Sequence, residues 1–391
     1  MTREDVRSNI LNSTSNYILA ELTTSLGKSR VALEFMHDRK VLDNILIVIP
    51  RKVLKKNWKE EFDKWGYSSY FNQVTFTTYI SLPKYINKPF NLIIFDECHH
   101  LSARARDAVC DLKYTYCILL SATITLKMKT EIKALFPGID CFKVSLKQAI
   151  DEGMLPDPKV YLVPLSLDTH NPDREILVNN KPGKVPKQIY FKDRFKARKD
   201  KNNSYLIKCT QKEYYQDLDG LIEFYKKNYF KTNNSNIYYR WQRAAKDRLL
   251  WLSNLKNDIV LKLLESLKDK RTLTFCSGIE QTKILGKYCI NSQEDKYTEY
   301  LDDFNNGKIN HITACEMLNE GVNLVDCQIG IFASINSSDI MIKQKNGRIL
   351  RHSDPIIYII YYRDTREQEL VEEIIKDYNP NLITVVDSKQ L

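Results

Sequence analysis

Four short stretches of this 391-residue chain hold side chains that could act together on a phosphate ester. Gly27-Lys28-Ser29 closes a turn, and Asp96-Glu97 ends the apolar run at residues 92–95. Ser121-Ala122-Thr123 follows another apolar run, and Gln344, Arg348 and Arg351 recur at helical spacing late in the chain. Glycine lets backbone N–H groups approach anionic oxygens, lysine adds charge at the terminal phosphates, and a serine hydroxyl can ligate Mg²⁺. Asp96 could orient Mg²⁺ and its waters, and Glu97 could position and deprotonate an attacking water. Arg348 and Arg351 lie one helical turn apart with Gln344 on the same face, a spacing that can direct positive charge at a phosphoryl group being cleaved. The chemistry this set fits is hydrolysis of a nucleoside triphosphate between two lobes. Each piece has a plainer reading. The Gly-Lys-Ser turn could be an ordinary turn, Asp96-Glu97 could cap a following helix, and the arginines could lie on a solvated basic helix.

The elements that must position these residues alternate. Strands are predicted at residues 17–22, 42–49, 74–78, 92–95 and 117–120, with helices at 29–36 and 54–65. That alternation predicts an α/β fold with a parallel sheet. A short helix at 146–152 stops at Gly153, and Pro156 and Pro158 mark a boundary, so residues 1–155 form one expected lobe and 156–391 a second. In the second, a strand is predicted at 159–167 and a polar loop or arm at 168–204. Helical patterns follow at 212–229 and 241–267, then a return of α/β alternation with strands at 272–276, 309–314, 329–333 and 356–362 and a helix at 279–289. The stretch 168–255 reads as a basic, aromatic-rich insertion.

Composition bounds the partners. The net charge is +10, yet residues 181–250 hold 18 Lys and Arg against 7 Asp and Glu, so the remainder is nearly neutral. The same stretch carries 13 of the 42 aromatic residues. Basic residues interleaved with aromatics are the footprint of a nucleic-acid surface, with Lys192, Arg194, Lys196, Arg198 and Lys199 its densest run. The alternative is a solvated helical face whose aromatics make a core. No apolar run approaches the length needed to cross a bilayer. The nine scattered cysteines show no metal-ligand spacing and read as reduced thiols, with a cytoplasmic location expected.

In these motifs the chain resembles a superfamily 2 helicase core of the DEAH or type III restriction-subunit kind, akin to phage and repair DNA translocases. LTTSLGKS resembles motif I, with Ser25 where the family usually has glycine, IVIPRKVL motif Ia, DECH motif II and SAT motif III. ITACEMLNEGVNL resembles motif V and QKNGRILR motif VI. The resemblance implies two RecA-like lobes with ATP and Mg²⁺ in the cleft. It implies nucleotide contacts from Thr24, Ser25, Leu26, Gly27, Lys28, Ser29 and Gly321, and Mg²⁺ ligation through Ser29 and Asp96. Hydrolysis would rest on Lys28, Asp96, Glu97, Gln344, Arg348 and Arg351. His99, Ser121 and Thr123 would couple the nucleotide to the second lobe, although His99 also reads as an ordinary structural histidine. Arg51, Thr78, Ser277, Gly278 and Thr313 fall where the family touches a nucleic-acid backbone, and each is equally an ordinary strand-end residue. The family's adenine-reading glutamine has no counterpart ahead of motif I. The expected activity is that of an ATP-dependent DNA helicase or translocase. Two alternatives stand beside it: an RNA helicase, and a nucleic-acid-binding or annealing module that uses ATP as a switch.

Overall fold

The computed structural model describes residues 1–172, 174–179, 198–199, 204–291, 293–315, 324–336 and 349–391. Two parallel sheets dominate it. The first contains β1 (Tyr17–Leu22), β2 (Ile45–Ile49), β3 (Val74–Thr78), β4 (Pro89–Phe95), β5 (Lys113–Ser121) and β6 (Asp140–Val144), in the order β3-β2-β4-β5-β1-β6. All five residues of β2 are buried, as are the last four of β4. Parallel strands covered on both faces require such continuous apolar runs. Burial of each Ile or Leu contributes about 1.5–3 kcal/mol relative to exposure.

Helices α1 (Arg3–Leu11), α2 (Lys28–Asp38), α3 (Leu54–Lys64), α4 (Ala103–Asp111), α5 (Leu126–Leu135) and α6 (Leu146–Asp151) complete the first lobe. α2 buries Val31, Ala32, Leu33, Phe35 and Met36. Ser102, Thr125 and Ser145 cap α4, α5 and α6 by accepting hydrogen bonds from the N–H groups of Ala105, Met128 and Gln148. Such caps satisfy N–H donors that have no partner within the helix.

The second sheet opens with β7 (Lys159–Leu165). A small antiparallel sheet follows, made of β8 (Arg174–Asn179), β9 (Arg198–Lys199) and β10 (Ser204–Cys209) in the order β8-β10-β9. The polar arm expected over residues 168–204 therefore contains strands. Their partners are each other, through the Ser204↔Asn179 to Cys209↔Arg174 ladder. Two long helices come next, α7 (Gln211–Thr232) and α8 (Ser235–Asn254), joined by a tight turn at Asn233 and Asn234.

The pattern at 241–267, predicted as one helix, divides into α8 and α9 (Asn257–Ser266). The break leaves Lys256 with no exposed surface, its Nζ 2.6 Å from Glu367 Oε1. Then come β11 (Thr272–Phe275), α10 (Ile279–Leu285), β12 (Cys289–Ile290), α11 (Tyr297–Asn305), β13 (His311–Ala314), β14 (Ile329–Phe332), β15 (Ile356–Tyr362), α12 (Arg366–Ile374) and β16 (Ile383–Val385). The seven-stranded order is β12-β13-β11-β14-β15-β7-β16. The helix predicted at 279–289 ends at Leu285, and its last residue, Cys289, opens β12. The nine cysteines are free thiols. Among the described residues, no helix is long and apolar enough to cross a membrane.

Candidate active site

The order β4-β5-β1 brings three strand ends to one edge of the first sheet. Ligands of parallel α/β sheets bind at this carboxyl edge. From β1 the chain passes through Thr23 to Gly27 into α2. Ser25 and Gly27 both have left-handed backbones, with φ of 71° and 82°. Glycine takes that conformation without strain, whereas serine pays for its Cβ. The result is a turn that ends on a helix N-terminus, where N–H groups and the helix dipole favour an anion. Lys28 opens α2, and its Nζ lies 3.5 Å from the Leu22 carbonyl oxygen and 3.5 Å from Glu97 Oε1.

Asp96 and Glu97 leave the end of β4. Asp96 Oδ2 accepts a hydrogen bond from Trp58 Nε1 at 3.0 Å, and its carbonyl accepts one from the Tyr79 hydroxyl at 2.6 Å. Glu97 sits at φ 49°, another left-handed position. Its side chain caps nothing in the short turn that follows, and α4 takes its cap from Ser102. The helix-capping reading of this acidic pair is thereby removed. Burial alone would push the Glu97 carboxyl up, but the Lys28 ammonium and then His99 outweigh it and hold the group down at about 2. Glu97 Oε2 faces His99 Nδ1 at 3.4 Å without making a hydrogen bond.

His99 Nδ1 is also 3.1 Å from Ser121 Oγ, at the end of the intervening strand β5. Ser121 Oγ donates to the Thr123 carbonyl at 2.9 Å. A continuous polar chain thus runs from Lys28 through Glu97 and His99 to the Ser121–Thr123 turn. Thr23 Oγ1 and Thr123 Oγ1 are buried at this edge without hydrogen-bond partners. Unsatisfied buried oxygens are costly, and their presence beside a cationic loop suits a site that takes up a polar ligand. Among the described residues no group of three or more His, Cys, Asp or Glu could hold a metal. A hard divalent cation would instead draw on Ser29, Asp96 and the ligand's own oxygens, the usual arrangement for Mg²⁺ with phosphates.

The second lobe contributes Arg351. Its Nε donates to Ser25 Oγ at 3.2 Å. Ile349 and Leu350, both buried, seat this segment. Gly330 on β14 makes the seat possible, because a Cβ there would fall 2.8 Å from Ile349 Cγ1. Gln344, Arg348 and Gly321 lie outside the described residues, as do Lys192, Arg194 and Lys196. Arg198 and Lys199 form β9.

The remaining surface candidates divide. Arg51 is exposed just past β2, and Thr78 ends β3 with its hydroxyl 3.3 Å from Ser81 Oγ. Ser277 follows β11, with both its N–H and its hydroxyl donating to Gln281 Oε1. Gly278 packs against α8, since a Cβ would lie 3.1 Å from Leu250 Cδ2. Thr313 is a correction: it has no exposed surface, and its hydroxyl donates to the Thr282 carbonyl at 3.0 Å. Its position inside the sheet leaves nothing for a phosphate to touch. Trp58 and Tyr79, which hold Asp96 from two sides, escape sequence reasoning. Trp58 shows only the helical spacing of a core residue, and Tyr79 gives no signal.

Comparison with known proteins agrees with this architecture. Residues 3–126 match the family "Type III restriction enzyme, res subunit", and residues 255–353 match "Helicase conserved C-terminal domain". The chain is 23% identical over 367 residues to the DNA 3'-5' translocase XPB2 of Sulfurisphaera tokodaii, covering 85% of this chain and 74% of that protein. Its fold is similar to S. cerevisiae Dbp5 bound to RNA and ADP BeF3, with a TM-score of 0.62 at 10% identity, covering 100% of this chain and 90% of that one. It is also similar to the Pyrococcus furiosus Hef helicase domain, with a TM-score of 0.50 at 15% identity, covering 95% and 97% of the two chains. At those identities the structural likeness is one of fold. With a type III restriction match on the first lobe and a helicase C-terminal match on the second, the chain carries a superfamily 2 helicase core built on two RecA-like lobes.

Proposed function

We propose that this chain is a nucleic-acid-stimulated ATPase that uses hydrolysis between its lobes to move along or remodel DNA. The observation that carries this reading is the convergence of Lys28, Glu97 and Arg351 on one strand-end edge, with Arg351 supplied by the other lobe. When bound, the nucleotide supplies the phosphoanhydride to be cleaved, and a divalent cation supplies positive charge at its oxygens. Lys28 and the N-terminus of α2 would receive the terminal phosphates, and Ser29 and Asp96 would hold the cation. Glu97 accepts the proton of the attacking water. In the nucleotide-free site Lys28 holds Glu97 far too acidic to be a good base. Phosphates that draw Lys28 away raise the proton affinity of Glu97, so the base is readied by substrate binding. Arg348 and Arg351 stabilise charge on the phosphoryl group, which makes turnover depend on lobe closure.

DNA is favoured over RNA by the translocase relative, which is the match in sequence rather than in fold alone. The free cysteines are consistent with a cytoplasmic setting. The test is the ATPase rate against single-stranded, duplex and branched DNA and RNA, with strand separation and annealing assayed in parallel. The expected result is stimulation by DNA that vanishes in Glu97→Gln while ATP binding persists. Stimulation by RNA alone would make the chain an RNA helicase. Annealing that needs ATP binding without hydrolysis would make the engine a switch. Wild-type hydrolysis by Glu97→Gln would remove Glu97 from catalysis.

A further inference from the structure

The α7–α8 pair is an antiparallel hairpin whose root and tip have opposite character. The root is anchored on the second lobe through Tyr215, Leu218, Trp251 and Leu252, which pack with Leu167 and Tyr362. Arg248 pairs with Asp219 across the two helices, and the Tyr215 hydroxyl accepts a hydrogen bond from the Arg366 N–H at 2.8 Å. Residues 211–223 and 247–254 together carry two basic and five acidic residues. Residues 224–246, which cross the tip, carry six basic residues and no acidic one. Those six are Lys226, Lys227, Lys231, Arg240, Arg243 and Lys246. Lys226 pairs with Glu223, and the other five make no ion pair among the described residues.

The same 23 residues hold seven aromatics. Tyr229, Tyr238 and Trp241 form a cluster with ring centroids 5.2 Å apart for the tyrosine pair and 6.0 Å from each tyrosine to the indole. That cluster explains how the tip is held together. Phe230 and Tyr239 lie at its margin, Phe230 with its centroid 5.5 Å from Tyr229 and 6.1 Å from Trp241 and Tyr239 6.1 Å from Tyr238, yet they remain 71% and 68% exposed. The tip stands about 15 Å beyond Ile222, the last buried residue of α7, at 1.5 Å rise per residue. Exposed large rings so far from any core cost solubility and add nothing to the packing of the root.

We infer that the tip of this hairpin is a second nucleic-acid contact, at which Phe230 and Tyr239 stack on unpaired bases while the surrounding lysines and arginines hold the backbone. Every base has a π-face, so aromatic stacking is tolerant of sequence, and a basic collar whose 23 residues include no acidic side chain selects a polyanion. A protein partner would meet the same rings, but an uninterrupted collar of positive charge is the signature of phosphate. This assignment rests on the proposed motor reading, in which a strand runs across the lobes.

The test uses the full chain and oligonucleotides of DNA and of RNA, each made with normal bases and with a run of abasic sites. The wild type should bind the abasic strands about five- to a hundredfold more weakly, the range expected for loss of one base–aromatic stack. Phe230→Ala with Tyr239→Ala should weaken binding of normal strands by a similar factor and should no longer distinguish normal from abasic strands. Both side chains are mostly exposed and pack only on the tip's own rings, so ATP hydrolysis without nucleic acid should stay at the wild-type rate and report intact folding. Replacing Lys231, Arg240 and Arg243 by glutamine should flatten the salt dependence by roughly 0.7 in log–log slope for each phosphate no longer neutralised. If the wild type binds and is stimulated by strands but neither variant differs from it, the tip is not a nucleic-acid contact and the motor reading stands. A wild type that ignores abasic substitution also overturns the inference. If no strand binds or stimulates the wild type, the motor reading itself falls.

Discussion

Replacing Lys28 by methionine should change how the protein's stability depends on pH, because Lys28 is what permits Glu97 to be charged. The two groups are 3.5 Å apart and both largely buried. At an effective dielectric of about 20 their attraction is about 5 kcal/mol, roughly three orders of magnitude in proton affinity. The Glu97 carboxyl is lowered from 4.5 to about 2, so in the wild type it contributes on the order of 3 kcal/mol of stability. A lowered carboxyl has its full contribution above the unfolded value of 4.5 and loses it as pH falls towards 2. The wild type should therefore be indifferent to this group from pH 8 down to about 5.

Without the ammonium, only His99 still opposes burial, and the carboxyl rises from its lowered value. The variant is then least stable, relative to wild type, at neutral pH, and it recovers as acid protonates Glu97. Adding Glu97→Gln removes the charge and should return much of the loss at pH 7. Thermal melts of the two single variants, the double variant and wild type between pH 8 and 5 give the cycle, with an expected coupling of roughly 2–3 kcal/mol, within the range for residues in contact. A pH-independent offset in Lys28→Met, with no recovery in the double variant, would show that the pair is not electrostatically coupled.

Arg351→Ala should leave ATP binding nearly intact and slow hydrolysis on the order of 10³-fold, as for a missing arginine finger; unchanged turnover in a steady-state assay would assign Arg351 to holding Ser25 alone. Ser25→Gly should relieve a left-handed serine worth about 1–2 kcal/mol of backbone strain while deleting the hydroxyl that meets Arg351. A higher melting temperature with looser lobes in small-angle scattering is expected, and a lower one would mean the cross-lobe hydrogen bond outweighs the strain. Lys256→Met should cost about 3–5 kcal/mol by stranding Glu367, and pairing it with Glu367→Leu should recover most of that loss in thermal melts.

The strands that carry the site are legible because parallel sheets demand apolar runs, and residues 92–95 read as a strand for that reason. The helices at 103–111 and 126–135 are not legible in the same way. α4 buries only Ala105, Ala108 and Val109 and α5 only Ile132, so neither presents a strong apolar stripe. Lys28, Asp96 and Glu97 can be picked out because their types are rare together at strand ends. Trp58 cannot, since its indole is counted as core until its N–H is found on Asp96. Thr313 misleads for the converse reason. A hydroxyl at a strand end looks available in sequence, and only the neighbouring Thr282 carbonyl shows that it is spent. The small β8-β10-β9 sheet is defined by pairing between segments separated in the chain, which no local pattern records.

The α7–α8 hairpin also has a mechanical meaning. Its 22-residue first helix is about 33 Å long and is fixed to the second lobe at one end. It is a lever whose fulcrum is the packed root. Turning that lobe by roughly 10° would sweep the free end, about 15 Å beyond the packed root, through about 3 Å, close to the roughly 3.4 Å that separates successive nucleotides of a DNA strand. A small rotation at the nucleotide cleft becomes, at the end of this arm, a displacement of about one step along the polymer.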